Sequence, residues 1–275
     1  MSMITHVLTP RSFYYRAWAL LVACWILLYL VANPAGAGQS AANAPGRISG
    51  PPEAQLVLSR MKAALGGENR LGGVRTLLIR GSNIYSGSPP SATPFTCRIL
   101  LPDAFQEVLE KYSYAFTVIG ENFWRRPALP PHLDSPGTRR NVIQHFSELC
   151  LIMLGRSPSQ VAMSASIEKH SSGAVAKLKL TGDVTRTLEF DAQWRPHVLE
   201  HPVDMYSPGA SIPLRTTRRL VVEKWAKISD IWFPVAMTVT YPPGAPSMAT
   251  QFNEVRVNEG VSRGDFLAPS SDGKK

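Results

Sequence analysis

The chain has 275 residues, of which 44% are hydrophobic and 18% charged, and its formal net charge is +9. Its length is enough to bury the core of one domain, particularly if that domain is a β-barrel or half-barrel. The basic residues form small clusters without a continuous stripe, which argues against nucleic-acid binding and indicates a solvated basic face that tolerates an anionic membrane surface.

The first 37 residues have the pattern of an export signal. Arg11 and Arg16 precede an apolar run from Ala17 to Ala32, and Ala35-Gly36-Ala37 supplies the small residues of a cleavage site. We therefore expect cleavage after Ala37 and a protein that acts in the periplasm. Two alternatives stay open: the uncut segment could anchor the chain in the membrane, or Cys24, in a sequence shaped like a lipobox, could carry lipid.

Residues 38–50 are small and polar, and they predict a flexible linker, followed by a folded domain over residues 51–268 and a disordered tail over 269–275. Pro52 can open a helix, and the Gly66-Gly67 pair can end it. Ala54, Val57 and Met61 recur at helical spacing between these limits. The domain is thus predicted to begin with one amphipathic helix.

Beyond this helix the hydrophobic period changes to two, as half-buried β-strands require. The predicted strands cover residues 95–101, 176–180, 184–190, 217–227, 235–241 and 250–258. Turn residues separate neighbouring strands, for example in Thr181-Gly182-Asp183 and Pro242-Pro243-Gly244. This spacing favours antiparallel meanders, and the fold class is mainly β with some helix.

One helix interrupts the predicted strands. Val142, Phe146, Leu149 and Met153 share a helical face within residues 138–154, and Gly155 ends the pattern. A proline-rich stretch precedes this helix. It could be a lid over one face of the sheet or an ordinary packing helix.

Two cysteines follow the predicted signal, Cys97 and Cys150. An oxidising periplasm would allow them to form a disulfide. Both have apolar neighbours, however, so a pair of buried free thiols is the alternative.

The segment His197-Val-Leu-Glu200-His201 matches a zinc-protease pattern that requires a helix. Pro196 and Pro202 enclose it and favour a short strand instead, on which the two histidines would share a face about 13 Å apart. This separation is too large for one metal ion. His132, His145 and His170 have no neighbouring ligands, and the chain lacks phosphate loops, nucleophile elbows and paired-cysteine zinc spacing. We expect neither a metal nor a cofactor.

Several segments resemble the LolA-like superfamily of periplasmic carriers that sort outer-membrane lipoproteins. The resemblance rests on the following segments: Ala63 to Glu68, Val74 to Gly81, Leu101 to Phe105, Gly120 to Trp124, Ile231 to Pro234, Phe252 to Asn258 and Gly260 to Phe266. It implies a curved, incomplete antiparallel β-barrel, with helices covering its concave side and an apolar cavity that accepts acyl chains. It implies no enzymatic activity.

A concave apolar face of this kind would be completed by a bound lipid. The candidate lining residues are Leu178, Leu180, Leu188, Phe190, Met237 and Val239. Candidate headgroup contacts are Trp124, Arg125, Arg218 and Arg219, because arginine binds phosphate and tryptophan favours the membrane interface. Ordinary core packing and solvated strand edges are the alternatives.

The leading hypothesis is therefore a non-catalytic periplasmic protein that binds a lipid or an acylated lipoprotein, with an envelope protein as a further partner and peripheral membrane contact possible. The alternative is an envelope sensor or interaction module with the same fold.

Overall fold

The structure is a computed structural model that describes residues 48–86, 91–126, 136–159, 161–168, 175–205, 214–241 and 247–267. The predicted signal peptide, residues 38–47 of the predicted linker and the tail lie outside these ranges, as do His132 and His170. Within them, no helix is both long enough and apolar enough to cross a membrane.

The described residues form three α-helices and one large sheet. The helices are α1 (Pro52–Leu65), α2 (Glu68–Gly73) and α3 (Pro136–Leu154). The strands are β1 (Ile48–Ser49), β2 (Thr76–Tyr85), β3 (Ser91–Leu100), β4 (Ala104–Leu109), β5 (Tyr114–Ile119), β6 (Asn122–Arg126), β7 (Met163–Ile167), β8 (Lys177–Thr181), β9 (Thr185–Phe190), β10 (Pro196–Met205), β11 (Leu214–Ile228), β12 (Ile231–Thr240) and β13 (Met248–Val257). The mainly β fold class is confirmed.

Helix α1 ends as the glycine pair predicts. Gly66 has a φ of +140°, which a residue with a Cβ rarely adopts, and its backbone N–H donates to the Ala63 carbonyl. Gly67 donates in the same way to Lys62. These two bonds satisfy carbonyls that the helix end would leave without partners.

The strands form one sheet in the order β1-β7-β8-β9-β10-β11-β12-β13-β2-β3-β4-β5-β6. Every neighbouring pair is antiparallel except β1 with β7, where Ile48 lies opposite Met163. The last residues of the predicted linker are therefore part of the fold, since Ile48 is buried in the core. Strand pairing thus begins before residue 51, where the sequence analysis placed the start of the domain.

The contacts of α3 show that this sheet is strongly curved. The helix touches β5, β10 and β12. Strands β5 and β10 are seven positions apart in the sheet, a distance of about 34 Å if the sheet were flat. His145 and Glu148 lie only one turn apart on α3, yet they contact Glu107 of β4 and His201 of β10, which are six positions apart in the sheet. The sheet must therefore bend around the helix. The sheet stays open in the described residues, because its end strands, β1 and β6, do not pair with each other.

Helix α3 fills part of the concave side. Phe146 stacks on Phe105 of β4 with ring centroids 5.3 Å apart. From Phe146 to Leu154 every residue is buried, so this half of the helix has no solvated face. Between the two readings of this segment, the structure supports a packing helix within the core.

The H-x-x-E-H segment lies on strand β10, which confirms the strand prediction. The expectation that its two histidines share a face was wrong. The pairing of β9 with β10 shifts between Pro196 and Val198, and this β-bulge reverses the alternation. His197 is exposed on one side, while His201 is buried on the other.

Candidate functional site

The concave side of the sheet holds an apolar cavity of about 240 Å³ next to helix α3. Apolar side chains from β2, β3, β4, β11, β12, β13 and α3 line most of it. These residues include Ile79, Phe95, Leu109, Leu149, Leu220, Met237, Val239, Met248 and Phe252. The alternation of each strand turns one row of side chains toward this space.

One part of the cavity wall carries neutral polar groups. Thr250 donates a hydrogen bond from its hydroxyl to the Asn83 side-chain oxygen, at 2.8 Å. Tyr85 and Tyr241 also line the cavity. Burial raises the pKa of Tyr85, and the charge of Glu107 raises it further, so the phenol is neutral.

A charge cluster also borders the cavity through Arg218 and His145 and is centred on Glu148, which α3 holds almost completely buried. Arg218 Nη1 lies 2.9 Å from Glu148 Oε2, and His201 Nε2 lies 2.5 Å from Oε1. The second contact is short but poorly aligned for a hydrogen bond. His201 Nδ1 is 3.0 Å from the Pro202 carbonyl oxygen. Both nitrogens of this ring therefore face oxygen atoms.

These contacts keep Glu148 ionised inside the protein. Burial by itself would raise the pKa of its carboxyl group. The Arg218 guanidinium opposes this effect, as do the neighbouring His145 and His201 side chains, and together they hold the pKa well below its usual range. The cluster ties α3 to β10 and β11, because His201 and Arg218 lie opposite each other on these strands.

His145 extends the cluster toward a second cavity. Its Nδ1 lies 3.7 Å from Glu148 Oε2 and its Nε2 lies 3.8 Å from Glu107 Oε2. A neighbouring cavity of about 260 Å³ has Glu107, His145 and Phe116 in its wall, and these three residues also line the first cavity. The Glu107–His145 pair therefore forms a partition between the two cavities.

Cys97 and Cys150 are free thiols, and both are buried. The structure thus contains no disulfide between them, although the sequence left that bond open. Burial raises the pKa of the Cys150 thiol to about 12. Burial also raises the pKa of the Cys97 thiol well above its usual value, and the charge of Glu107 raises it further. Both thiols are protonated and behave as small apolar groups.

The six predicted lining residues fall into two groups. Met237 and Val239 line the cavity of about 240 Å³. The other four, Leu178, Leu180, Leu188 and Phe190, are at most 1% exposed and belong to the closed core. The alternation of these strands was read correctly, but it does not distinguish a cavity wall from a filled core.

The four predicted headgroup residues do not form one site. Arg218 points to the cavity and is paired with Glu148, whereas Arg219 pairs with Glu200 on the opposite face. Arg125 is buried on the edge strand β6, where its Nη1 donates to the Tyr114 hydroxyl at 3.2 Å. Trp124 precedes it and is half-buried.

A wider groove of about 570 Å³ lies outside this site, between α1, α2 and the end of α3. Leu58, Leu71 and Leu154 are in its walls, together with Arg156 and the Lys62–Glu68 ion pair, whose atoms are 2.7 Å apart. Its mixed lining suits an acyl chain less well than the apolar cavity does.

The sequence analysis missed Glu107, Glu148 and His201 as parts of the site. Glu148 had a recognisable signal, because it is the one charged residue between Phe146 and Leu154 in a helix that is otherwise strongly apolar there. The partners of Glu148 come from distant strands, and nothing local indicates them. In the described residues, no three His, Cys, Asp or Glu side chains are arranged to hold a metal ion.

The fold is similar to that of solved LolA-like proteins. A LolA superfamily protein from Nitrosomonas europaea aligns with a TM-score of 0.50 and 11% identity, covering 78% of this chain and 97% of that one. A DUF1329 family protein from Desulfovibrio piger gives the same values. A putative outer-membrane lipoprotein-sorting protein domain from Vibrio parahaemolyticus has a TM-score of 0.48 and 15% identity over 78% of this chain and 96% of its own.

The match to the Nitrosomonas europaea protein confirms the LolA-like fold that the sequence resemblance implied. At such low identity it shows the fold alone. No family model and no curated protein matches the chain.

Proposed function

We propose that the protein binds the acyl chain of a lipid or of a lipidated protein in the cavity beside α3, without catalysing a reaction. The observation that carries this proposal is an apolar cavity on the concave side of an open, curved sheet. An acyl chain would complete the burial of Met237, Val239 and their neighbours. The fold similarity to a LolA superfamily protein supports the same kind of role.

The size of the cavity limits what it can hold. Its volume of about 240 Å³ is below the roughly 300–1,000 Å³ of pockets that bind drug-sized ligands. The adjoining cavity of about 260 Å³ would bring the joint volume into that range if the Glu107–His145 partition moved aside. The proposed ligand is therefore a single acyl chain. A chain too long for the first cavity would have to pass the Glu107–His145 partition to enter the second.

Titration with a fluorescent acyl probe tests this function. Replacing Val239 by Phe would place extra volume inside the cavity while keeping its wall apolar, so we expect probe binding to weaken about tenfold or more with a small change in stability. The matched control is Thr238→Val, which adds no bulk and lies on the other face of the same strand. Binding by this control should equal that of the parent protein.

Two results would contradict the proposal. The parent protein could fail to bind acyl probes of any chain length, or Val239→Phe could bind as well as the parent. Thermal melts of all three proteins separate a blocked cavity from an unfolded chain.

A further inference from the structure

Three of the four tryptophans in the described residues form a cluster on the outside of the sheet. Trp232 lies between Ile231 and Phe233, which both point into the core, so alternation places its ring on the outer face. Trp225 is on the adjacent strand, β11, and shares this face. Trp194 joins them from the turn between β9 and β10. All three are only partly buried.

Two guanidinium groups are stacked on these rings. Arg195 lies 5.2 Å from the ring centre of Trp232 and 5.6 Å from that of Trp225. Arg60 of α1 lies 4.6 Å from the ring centre of Trp194. Asp191 holds Arg195 in place, since its Oδ2 accepts from Arg195 Nε at 3.2 Å. Stacking by arginine fixes the rings and leaves guanidinium N–H groups at the rim for hydrogen bonds.

The backbone at Trp194 has a φ of +63°. This left-handed conformation is unusual for a bulky side chain and costs free energy. The protein thus maintains a strained turn whose effect is to present a large aromatic ring at the surface. Leu56, which is one helical turn from Arg60 on α1, is 54% exposed and adds an aliphatic group.

The surrounding charge is positive. The turn between β11 and β12 packs against the end of α1, where a Cβ at Gly66 would lie 2.8 Å from the Asp230 carbonyl oxygen. This turn contributes Lys227, 3.0 Å from the Asp230 carboxylate, and Arg70 is close enough to act on the same carboxylate. Asp191 and Asp230 already have basic partners, and the exposed Glu223 near Trp225 is outnumbered by Lys224 and Arg60, so the charge stays positive.

We propose that the tryptophan patch, defined as Leu56, Arg60, Trp194, Arg195, Trp225 and Trp232, is a docking surface for an anionic lipid bilayer. Tryptophan favours the boundary between headgroups and acyl chains, and arginine is weakly hydrated and binds phosphate through two N–H groups. The formal charge of +7 on residues 38–275 draws the protein toward such a surface. This inference is independent of acyl binding in the cavity, since none of the patch residues lines that cavity.

The test is co-sedimentation of the exported protein, its N-terminus checked by intact mass, with vesicles of phosphatidylcholine alone or mixed with phosphatidylglycerol. We expect binding to the mixed vesicles, weakening with salt, and quenching of tryptophan emission by brominated lipid. Trp194→Ser and Arg60→Glu should each lower the partition coefficient about tenfold. Tyr112→Ser and Arg263→Glu are the matched controls, because both residues are exposed and lie near β4 and β5, away from the patch, and they should change it little.

Three outcomes would overturn the proposal. The protein could show no preference for the anionic vesicles. Arg263→Glu could weaken binding as much as Arg60→Glu, which would indicate attraction by net charge alone. Alternatively, Trp194→Ser could leave vesicle binding unchanged while abolishing self-association in solution, which would assign the patch to contact between two copies. Acyl-probe titration of the same variants shows separately whether the cavity still functions.

Discussion

Glu148 is a charged residue in the most apolar part of the chain, and its surroundings explain how the fold tolerates it. The carboxylate is about 1% exposed, yet Arg218 and His201 each contact one of its oxygens. A buried ion pair need not add stability compared with an apolar replacement, but removing one partner leaves the other charge without compensation. Its role in this protein is to fix α3 against β10 and β11.

Replacing Glu148 by Gln should therefore lower the free energy of unfolding by about 3–5 kcal/mol, because the largely buried guanidinium of Arg218 would lose its counter-charge. Glu200→Gln is the control, since Glu200 pairs with Arg219 at the surface. The control should cost less than about 1 kcal/mol. Urea unfolding measures both. A loss below 1 kcal/mol for Glu148→Gln would show that the cluster does not hold the helix.

The same carboxylate should make the protein acid-sensitive. Its pKa is lower in the folded protein than in the unfolded chain, where glutamate titrates near 4.3. Its contribution is then fully present above about pH 5 and is lost as the pH falls toward the folded value. The stability difference between the parent and Glu148→Gln should shrink below about pH 4. If urea midpoints show the difference shrinking already near neutral pH, a histidine and not Glu148 is the titrating group.

At the scale of single elements, local patterns were sufficient for most of what they predicted. The apolar spacing and the glycine pair defined α1, and two-residue alternation located β3, β8, β9, β11, β12 and β13. The failures have a common cause, since they depend on partners far away in sequence. The β-bulge at His197 is a feature of pairing with β9, and no property of residues 197–201 reveals it.

Helix α3 illustrates the same limit for the candidate site. Its spacing predicted a helix with one apolar face, but the structure buries all sides from Phe146 to Leu154. Whether a strand facing this helix lines a cavity or a filled core depends on where the helix lies. Met237 and Leu188 have equivalent positions in their strand patterns, and only the first borders empty space. Periodicity identifies the face of a strand but carries no information about packing across it.

For the whole molecule, the resemblance to LolA-like proteins supplied the curved, open sheet that strand patterns alone could not. The order of the strands places β2 beside β13, although more than 150 residues separate them in sequence. Gly81 marks this junction, because a Cβ there would lie 2.2 Å from the Gln251 carbonyl oxygen. Such a close approach of two backbones requires glycine, yet a single glycine in a sequence does not name its neighbour.

The position at which the fold begins is a further property of the whole molecule that composition does not reveal. Ile48 and Ser49 belong to a stretch of small and polar residues that is typical of a linker, but burial and two hydrogen bonds hold them in the fold. Ile48 is 5% exposed, its carbonyl accepts from Gln55 Nε2 at 3.0 Å, and the Ser49 hydroxyl donates to the Met163 carbonyl at 3.2 Å. Each of these interactions involves Ile48 or Ser49, so a chain that starts at residue 51 loses all of them.

We therefore expect a chain that starts at Pro51 to be less stable than one that starts at Ala44. Burying the Ile48 side chain contributes about 1.5–3 kcal/mol, and the edge of β7 would lose its only partner on that side among the described strands. Urea unfolding of the two truncated chains measures the difference, and Ile48→Ala in the longer chain serves as the control, because it removes the side chain while keeping the β1 backbone. It should fall between the two. Equal stability of the chains starting at residues 44 and 51 would show that β1 adds nothing to the fold and that the linker extends to residue 50 as its composition suggested.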